Sequence, residues 1–323
     1  MALPERLLPF PEPFLERLAA IVPPERLDAV LDAFLTPRDA GFRINTLRAE
    51  PEVVVEPLRA AGLTLHGVPW KADAFRVPAH ERAALLASDA YARGWIYLQN
   101  LASMIPVEAL APEPGERVLD LAAAPGSKTL QIACRMQNTG EVAAVEAVKS
   151  RFFRLRANLE AQGATRVRTF LRDGATVWRR RPEHFDRVLL DAPCSSEGRF
   201  HTSAPESYAY WSPRKIKEMA RKQRRLLFSA VQSLRPGGVL VYATCSLAPE
   251  ENEAAIHRLF RTFGDALRVE PLGLALDDAQ PPLEAWRGRR FDARLAHARR
   301  LLPSPIMEGF FVCKIRKLES TLR

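Results

Sequence analysis

Arg117-Val-Leu-Asp-Leu-Ala-Ala-Ala-Pro-Gly-Ser-Lys-Thr129 is the stretch whose reading decides the fold. It opens on a short apolar run, Val118 to Leu121, with Asp120 inside it, continues through five small residues, and passes into a helical pattern over 127–136. That order predicts a buried strand, a tight turn and a helix start. Side chains this small let a ligand approach the backbone, and a helix N-terminus offers free N–H groups. Spacing excludes two nucleotide loops. In a P-loop the second Gly directly precedes Lys, whereas here Ser127 separates Gly126 from Lys128, and no G-x-G-x-x-G run occurs in the stretch.

Outward from this stretch, strands and helices alternate. Strand-like runs fall at 118–121, 141–145, 167–171, 187–190 and 238–242, with helical patterns at 127–136, 150–162 and 214–234. Pro236-Gly-Gly238 is expected to close the last helix. Such alternation predicts an α/β fold, a parallel sheet with helices on both faces. Ligands of such sheets bind beyond the carboxyl ends of the strands. Those ends carry the small-residue turn, Glu146, Asp173-Gly174, Asp191-Ala-Pro-Cys194 and Thr244-Cys-Ser246. One acid at one strand end is an ordinary cap; a regular series along one rim calls for a ligand.

Toward the N-terminus, residues 1–40 predict two short helices, with Phe14, Leu15 and Leu18 on one face and Leu27, Val30, Leu31 and Phe34 on the next. Phe42 to Arg48 alternates as a strand, Pro51 to Ala61 suits a helix, and 63–65 and 75–77 suit further strands. Residues 1–98 therefore form a small accessory α+β domain, helices followed by an RRM-like module, with RNA binding as its expected role. The catalytic domain is expected over 99–323.

The 323 residues suffice for two domains, and apolar and charged shares of 47% and 26% are those of a globular protein. No run approaches a membrane span, and Met1 to Arg6 lacks the pattern of a signal peptide, so a cytoplasmic monomer is expected. A net charge of +9 and a pI near 9.7 favour a polyanionic partner. Basic clusters occur at 179–181, 214–225 and 287–290. The four cysteines, Cys134, Cys194, Cys245 and Cys313, form no metal-binding pair and are expected to stay reduced. Cys134 and Cys313 lie in apolar surroundings and suit core thiols.

The motifs Ala122-Ala-Ala-Pro-Gly-Ser-Lys128, Glu146, Asp173-Gly174, Asp191-Ala-Pro-Cys-Ser195 and Thr244-Cys-Ser246 resemble those of the Sun/Nop (bacterial Fmu/Sun-like) RNA cytosine-C5 methyltransferases. Phe42 to Asn45, Gln99 to Ser103 and Met307 to Phe311 also resemble family signatures. Ala122 stands where many members have Cys, and Ser127 where many have Gly; both are small. The resemblance implies a Rossmann-like class I methyltransferase sheet and S-adenosylmethionine as cofactor, with no metal. It implies cofactor contacts at Ala122, Ala123, Ala124, Pro125, Gly126, Ser127, Lys128, Glu146, Asp173 and Asp191, although Lys128 also reads as a surface lysine.

Carbon 5 of cytosine is a weak nucleophile, and a thiolate added at carbon 6 activates it. The resemblance implies Cys245 as that nucleophile, Cys194 as the residue resolving the adduct, and Asp191 on the cytosine edge. Likeness to DNA cytosine-C5 methyltransferases would instead make Cys194, in Pro-Cys, the attacker. From charge and position alone, Arg43, Arg199, His201, Arg221, Arg224 and Arg225 are candidate RNA contacts. Ribosomal RNA is the preferred substrate and transfer RNA the alternative; a non-catalytic RNA-binding assembly factor is the competing class. The chain stops soon after its last strand, near Lys317, so substrate choice is expected from residues 1–98 and the surface loops.

Overall fold

The computed structural model describes residues 9–322; the expectation drawn from Met1 to Arg6 lies outside them. Helices α1 (Glu12–Ile21) and α2 (Pro24–Ala33) come first. The second region runs β1 (Ala40–Ile44), α3 (Pro51–Ala60), β2 (His66–Val68), β3 (Lys71–Val77), α4 (Arg82–Leu86), α5 (Asp89–Ala92) and β4 (Ile96–Leu98). The third runs α6 (Leu101–Leu110), β5 (Arg117–Asp120), α7 (Ser127–Arg135), β6 (Glu141–Glu146), α8 (Lys149–Ala161), β7 (Val167–Leu171), β8 (Phe185–Asp191), α9 (Pro213–Ser233) and β9 (Leu234–Thr244). It ends with α10 (Glu253–Phe263), β10 (Leu267–Glu270), the hairpin β11 (Ala285–Trp286) and β12 (Arg289–Arg290), β13 (Arg299–Leu301) and β14 (Phe310–Lys317).

The large sheet has the order β10-β14-β9-β8-β5-β6-β7, with β13 also paired to β14. The five strands from β7 to β9 are parallel, and β14 runs antiparallel to β9. Strand order reverses at β5, between β6 and β8, which leaves a crevice at the carboxyl ends of these strands. Alternation along each strand divides the core. Leu119, Val145, Val188, Leu190, Leu240 and Tyr242 meet Leu227 and Val231 of α9 and Ile256 and Phe260 of α10. Their neighbours Val118, Val142, Leu189, Val241 and Ala243 meet Ile105, Val107 and Leu110 of α6. Both faces are covered, which is why these strands read as continuous apolar runs.

Three boundaries differ from expectation. Helix α9 stops at Ser233, before Pro236-Gly-Gly238, which lies inside β9. There the register of β8 against β9 jumps from Phe185–Leu234 to Arg187–Val239, so the extra residues are accommodated as an irregularity of the strand. Strand β1 ends at Ile44 because the Asn45 Oδ1 accepts the Leu47 N–H and turns the chain. Leu63 packs in the core without a strand partner, and pairing begins at His66.

The small sheet has the order β2-β3-β1-β4 in the sequence βαββαβ, the ferredoxin-like arrangement. Phe42, Ile44 and Val77 bury one face against Val54 and Leu58 of α3. Ala74 and the buried Arg43 belong to the other face, which packs on α6 and α7. In an RNA-recognition module of this topology aromatic residues on that face stack bases; here α6 and α7 cover it. Helices α1 and α2 pack on the large sheet's loops, where Phe14 and Phe34 enclose Phe200, Trp211 and Leu247.

Candidate active site

The strand–turn–helix from Arg117 to Thr129 forms one wall of a cavity of about 480 Å³. Ala122, Ala123, Ala124, Pro125, Ser127 and Lys128 line it, as do Asp191, Cys194 and Cys245 from the neighbouring strand ends. Gly126 does not. Its left-handed backbone, φ +110°, starts α7, and a Cβ there would meet Leu155 of α8 at 3.1 Å. The turn contains a cis Ala124–Pro125 peptide, and its carbonyls are tied to α8: Arg151 Nη2 donates to Ala124 O and Asn158 Nδ2 to Pro125 O.

Cys194 follows β8 and Cys245 follows β9. Because those strands are adjacent and parallel, with Asp191 opposite Ala243, both thiols emerge at one rim, their Sγ atoms 3.2 Å apart. Backbone bonds hold the two loops together: Gly198 N–H donates to Cys245 O, and Gly309 N–H donates to Gly198 O. Contact is so close that a Cβ on Gly198 would sit 2.1 Å from Gly309 O. The hydrogen bond to Cys245, followed by burial, pushes the Cys194 thiol well above its ordinary range. That direction favours the protonated thiol and suits Cys194 as the donor to the Cys245 sulfur.

Beneath the pair lies a buried carboxylate network that sequence reasoning missed. Glu251 accepts the Ser195 N–H (3.0 Å), Gln223 Nε2 (2.7 Å) and Ser246 Oγ (2.9 Å), and thus joins the loop after β8 to the loop after β9. Glu197 accepts Trp211 Nε1 and the Leu247 N–H. Burial raises both acids, Glu251 to about 7. The only sequence signal was the closeness of Glu197 and Glu251 to the two cysteines.

Lys128 is buried, which removes the surface-lysine reading. Its Nζ lies 2.6 Å from Asp191 Oδ2, donates to Ser103 Oγ and sits 5.6 Å from the Phe310 ring. Asp120, passed over as a strand residue, also lines the cavity. Thr129 Oγ1 donates to its Oδ2 at 2.7 Å, and burial pushes the acid up to about 6 against the opposing effect of that bond and of the Ala122 backbone N–H. Gln99, Ser103 and Phe310 also line it; their segments were noted in the sequence without a role.

The remaining expected residues scatter. Glu146 is buried at the end of β6, its carboxylate accepting the Val148 N–H and facing Arg151, and it stands outside the cavity lining. Asp173 caps the turn after β7 through the Ala175 N–H and pairs with Arg225 at 3.2 Å. Arg199 is at the cavity wall, paired with Glu308. His201 is spent on Ser203 and Thr36 O, away from the cavity. Arg43 requires correction as a phosphate contact. It has no exposed surface, donates to Gln99 Oε1 and Ser127 O, and lies over Tyr97, because alternation in β1 turns it toward α7. Arg221 and Arg224 line a separate groove.

The cavity suits a methionine-derived cofactor. The buried Asp120 carboxylate borders it, and the wall of small side chains leaves the backbone approachable. Among the described residues no helix is long and apolar enough to cross a membrane.

A sheet of this order, with a cavity at its switch point and two cysteines on the rim, has the Rossmann-like fold of the class I methyltransferases. Residues 107–316 match the family described as 16S rRNA methyltransferase RsmB/F, and residues 10–101 match the N-terminal domain of 16S rRNA methyltransferase RsmF. The chain belongs to the RsmB/F methyltransferase family. It is 40% identical over 314 residues to the ribosomal RNA small subunit methyltransferase F of Vibrio vulnificus strain YJ016, covering 96% of this chain and 64% of that protein. The protein of that name from Serratia proteamaculans is 38% identical with the same coverage. The chain thus spans just under two thirds of the length of these relatives. A solved methyltransferase homologue from Pyrococcus horikoshii is 32% identical with a TM-score of 0.80, covering 95% of this chain and all of that one.

Proposed function

We propose that this chain methylates carbon 5 of cytosine in RNA, with small-subunit ribosomal RNA as the substrate. One observation carries the reading: two thiols 3.2 Å apart, from separate strand ends, at the wall of the cavity formed by the Ala122–Lys128 turn. The small-subunit names of the relatives at 38–40% identity favour ribosomal over transfer RNA.

In this reading the Cys245 thiolate attacks carbon 6 of the cytosine, forming a C–S bond and making carbon 5 electron-rich. S-adenosylmethionine, when bound, supplies the electrophilic methyl group. Ala122 to Lys128 and Asp120 are the residues that would hold it, with Glu146 and Asp173 on the neighbouring strand ends. Asp191 accepts a hydrogen bond from the exocyclic amine, with its carboxylate fixed by Lys128. Once Cys245 is a thioether it no longer shares with Cys194 the hydrogen bond that is the chief cause of that thiol's upward shift. Cys194 then loses its proton to solvent and takes the carbon 5 proton, and the 5,6 double bond re-forms as the Cys245 thiolate leaves. The residues before 99 act as an accessory domain that covers α7, and Tyr97 and Leu98 complete the cavity wall.

The test is transfer of labelled methyl from S-adenosylmethionine to RNA, DNA and protein in parallel, followed by mapping of 5-methylcytosine. Transfer to RNA cytosine supports the reading. Transfer to DNA alone overturns the substrate, and RNA binding without transfer favours an assembly factor.

A further inference from the structure

The second large cavity, about 420 Å³, lies between α9, α10 and the β11–β12 hairpin. Lys217, Arg221 and Arg224 of α9 line it at helical spacing; Arg258 of α10 and Arg287 and Arg289 of the hairpin face them, with Trp286 between. Among the described residues none of these six cations has a carboxylate partner. The single acid in the lining, Glu250, is engaged by Arg17 at 2.6 Å and by Trp286 Nε1. Cations that serve the fold look different here: Arg300 binds Glu253, and Lys317 binds Glu183 and two carbonyls. Arg287 stacks on Trp286 at 5.6 Å, and Arg17 lies over the same ring at 5.2 Å. Six like charges without a carboxylate partner among the described residues repel one another around one concave surface and are relieved by a polyanion.

We propose that this groove binds the sugar–phosphate backbone of the RNA strand flanking the target cytosine. The proposal rests on RNA being the substrate and adds where the strand runs. Cys245 lines the catalytic cavity and Glu250 the groove, so the two are joined by no more than about 18 Å of chain. Helix α9 divides accordingly: Arg221 and Arg224 face the groove, while Arg225 is occupied by Asp173. The hairpin, whose Arg287-Gly-Arg-Arg290 cluster the basic composition singled out, becomes the opposite bank.

The experiment uses the full chain and an RNA transcript that it methylates. Two variants, Arg221→Gln/Arg224→Gln/Arg258→Gln and Arg287→Gln/Arg289→Gln, are compared with the parent for RNA binding across a salt series. Each lost phosphate contact on a single strand lowers the slope of log K against log salt by roughly 0.7, so the first variant should lose about 2. KM for RNA should rise about tenfold or more in both, with cofactor affinity and thermal midpoint unchanged. Unaltered slopes and KM in both variants overturn the groove while leaving RNA methylation standing; failure of the parent to methylate any RNA overturns the underlying reading instead. Loss of binding to polyglutamate, with RNA parameters intact, assigns the groove to an acidic protein and also overturns the proposal.

Discussion

Cys194 and Cys245 are fifty-one residues apart in the chain and 3.2 Å apart at sulfur. They meet because β8 and β9 are parallel neighbours and both loops leave the sheet at the same edge. Two free thiols this close share a hydrogen bond, and only one can ionise at a time without placing like charges in contact.

That asymmetry predicts opposite trapping behaviour. Cys245→Ala should abolish methyl transfer and form no covalent protein–RNA complex. Cys194→Ala and Cys194→Ser should accumulate a denaturation-resistant complex, because carbon 5 keeps its proton and the C–S bond cannot break. Gel shift under denaturing conditions reads both, and the reverse pattern would make Cys194 the attacking residue.

Lys128 and Asp191 form a pair in which the lysine is buried and the acid partly open. Lys128→Met should cost about 1–3 kcal/mol in denaturant unfolding, since Asp191 and Ser103 lose their partner. Asp191→Asn should preserve stability better, yet lower kcat/KM by roughly a hundredfold or more, a loss of at least about 2.7 kcal/mol in transition-state binding. Equal losses of activity and stability in both variants would reduce the pair to a structural role.

Gly126 and Gly198 are constrained for different reasons. Gly126→Ala places a side chain at φ +110° and against Leu155, and should destabilise the chain by at least about 1 kcal/mol. Gly198→Ala meets backbone rather than a movable side chain and must separate the chain at Gly309 from the cysteine loops. Its activity loss should exceed its loss of thermal midpoint. A fully active Gly198→Ala would show that the backbone at Gly309 is free to yield.

Glu251 carries a sign that can be checked. Burial raises it from 4.5 to about 7, so across that interval the folded chain holds a proton that the unfolded chain has released. Its contribution to stability is full below pH 4.5 and is lost as pH rises toward 7. Glu251→Gln removes this titration and should flatten the stability curve between pH 4.5 and 7, while keeping a side chain able to bond Gln223 or Ser246. Denaturant midpoints across this range for parent and variant decide it; parallel curves would mean that Glu251 ionises normally.

Much of this site was legible residue by residue. The strand ends at 118–121, 141–145 and 187–190 were visible as apolar runs because both sheet faces are buried, and the small-residue turn was visible as a break in them. Charge was a poorer guide. Arg43 looked like a phosphate contact, but whether a strand residue faces solvent depends on what covers that face, here α6 and α7. The same limit hid Glu251 and Asp120, whose burial is a property of neighbours distant in sequence.

The linear order of residues by itself determined the alternating α/β elements, the turn at 122–126 and the identity of the two cysteines, because periodicity and local turn chemistry act over a few residues. Tertiary structure alone decided that the thiols touch, that Lys128 is buried against Asp191, that a carboxylate network lies beneath them, and that the basic residues of α9 divide between a groove and an ion pair. Those outcomes depend on which strands become neighbours and which faces are covered, and packing across the whole sheet settles both.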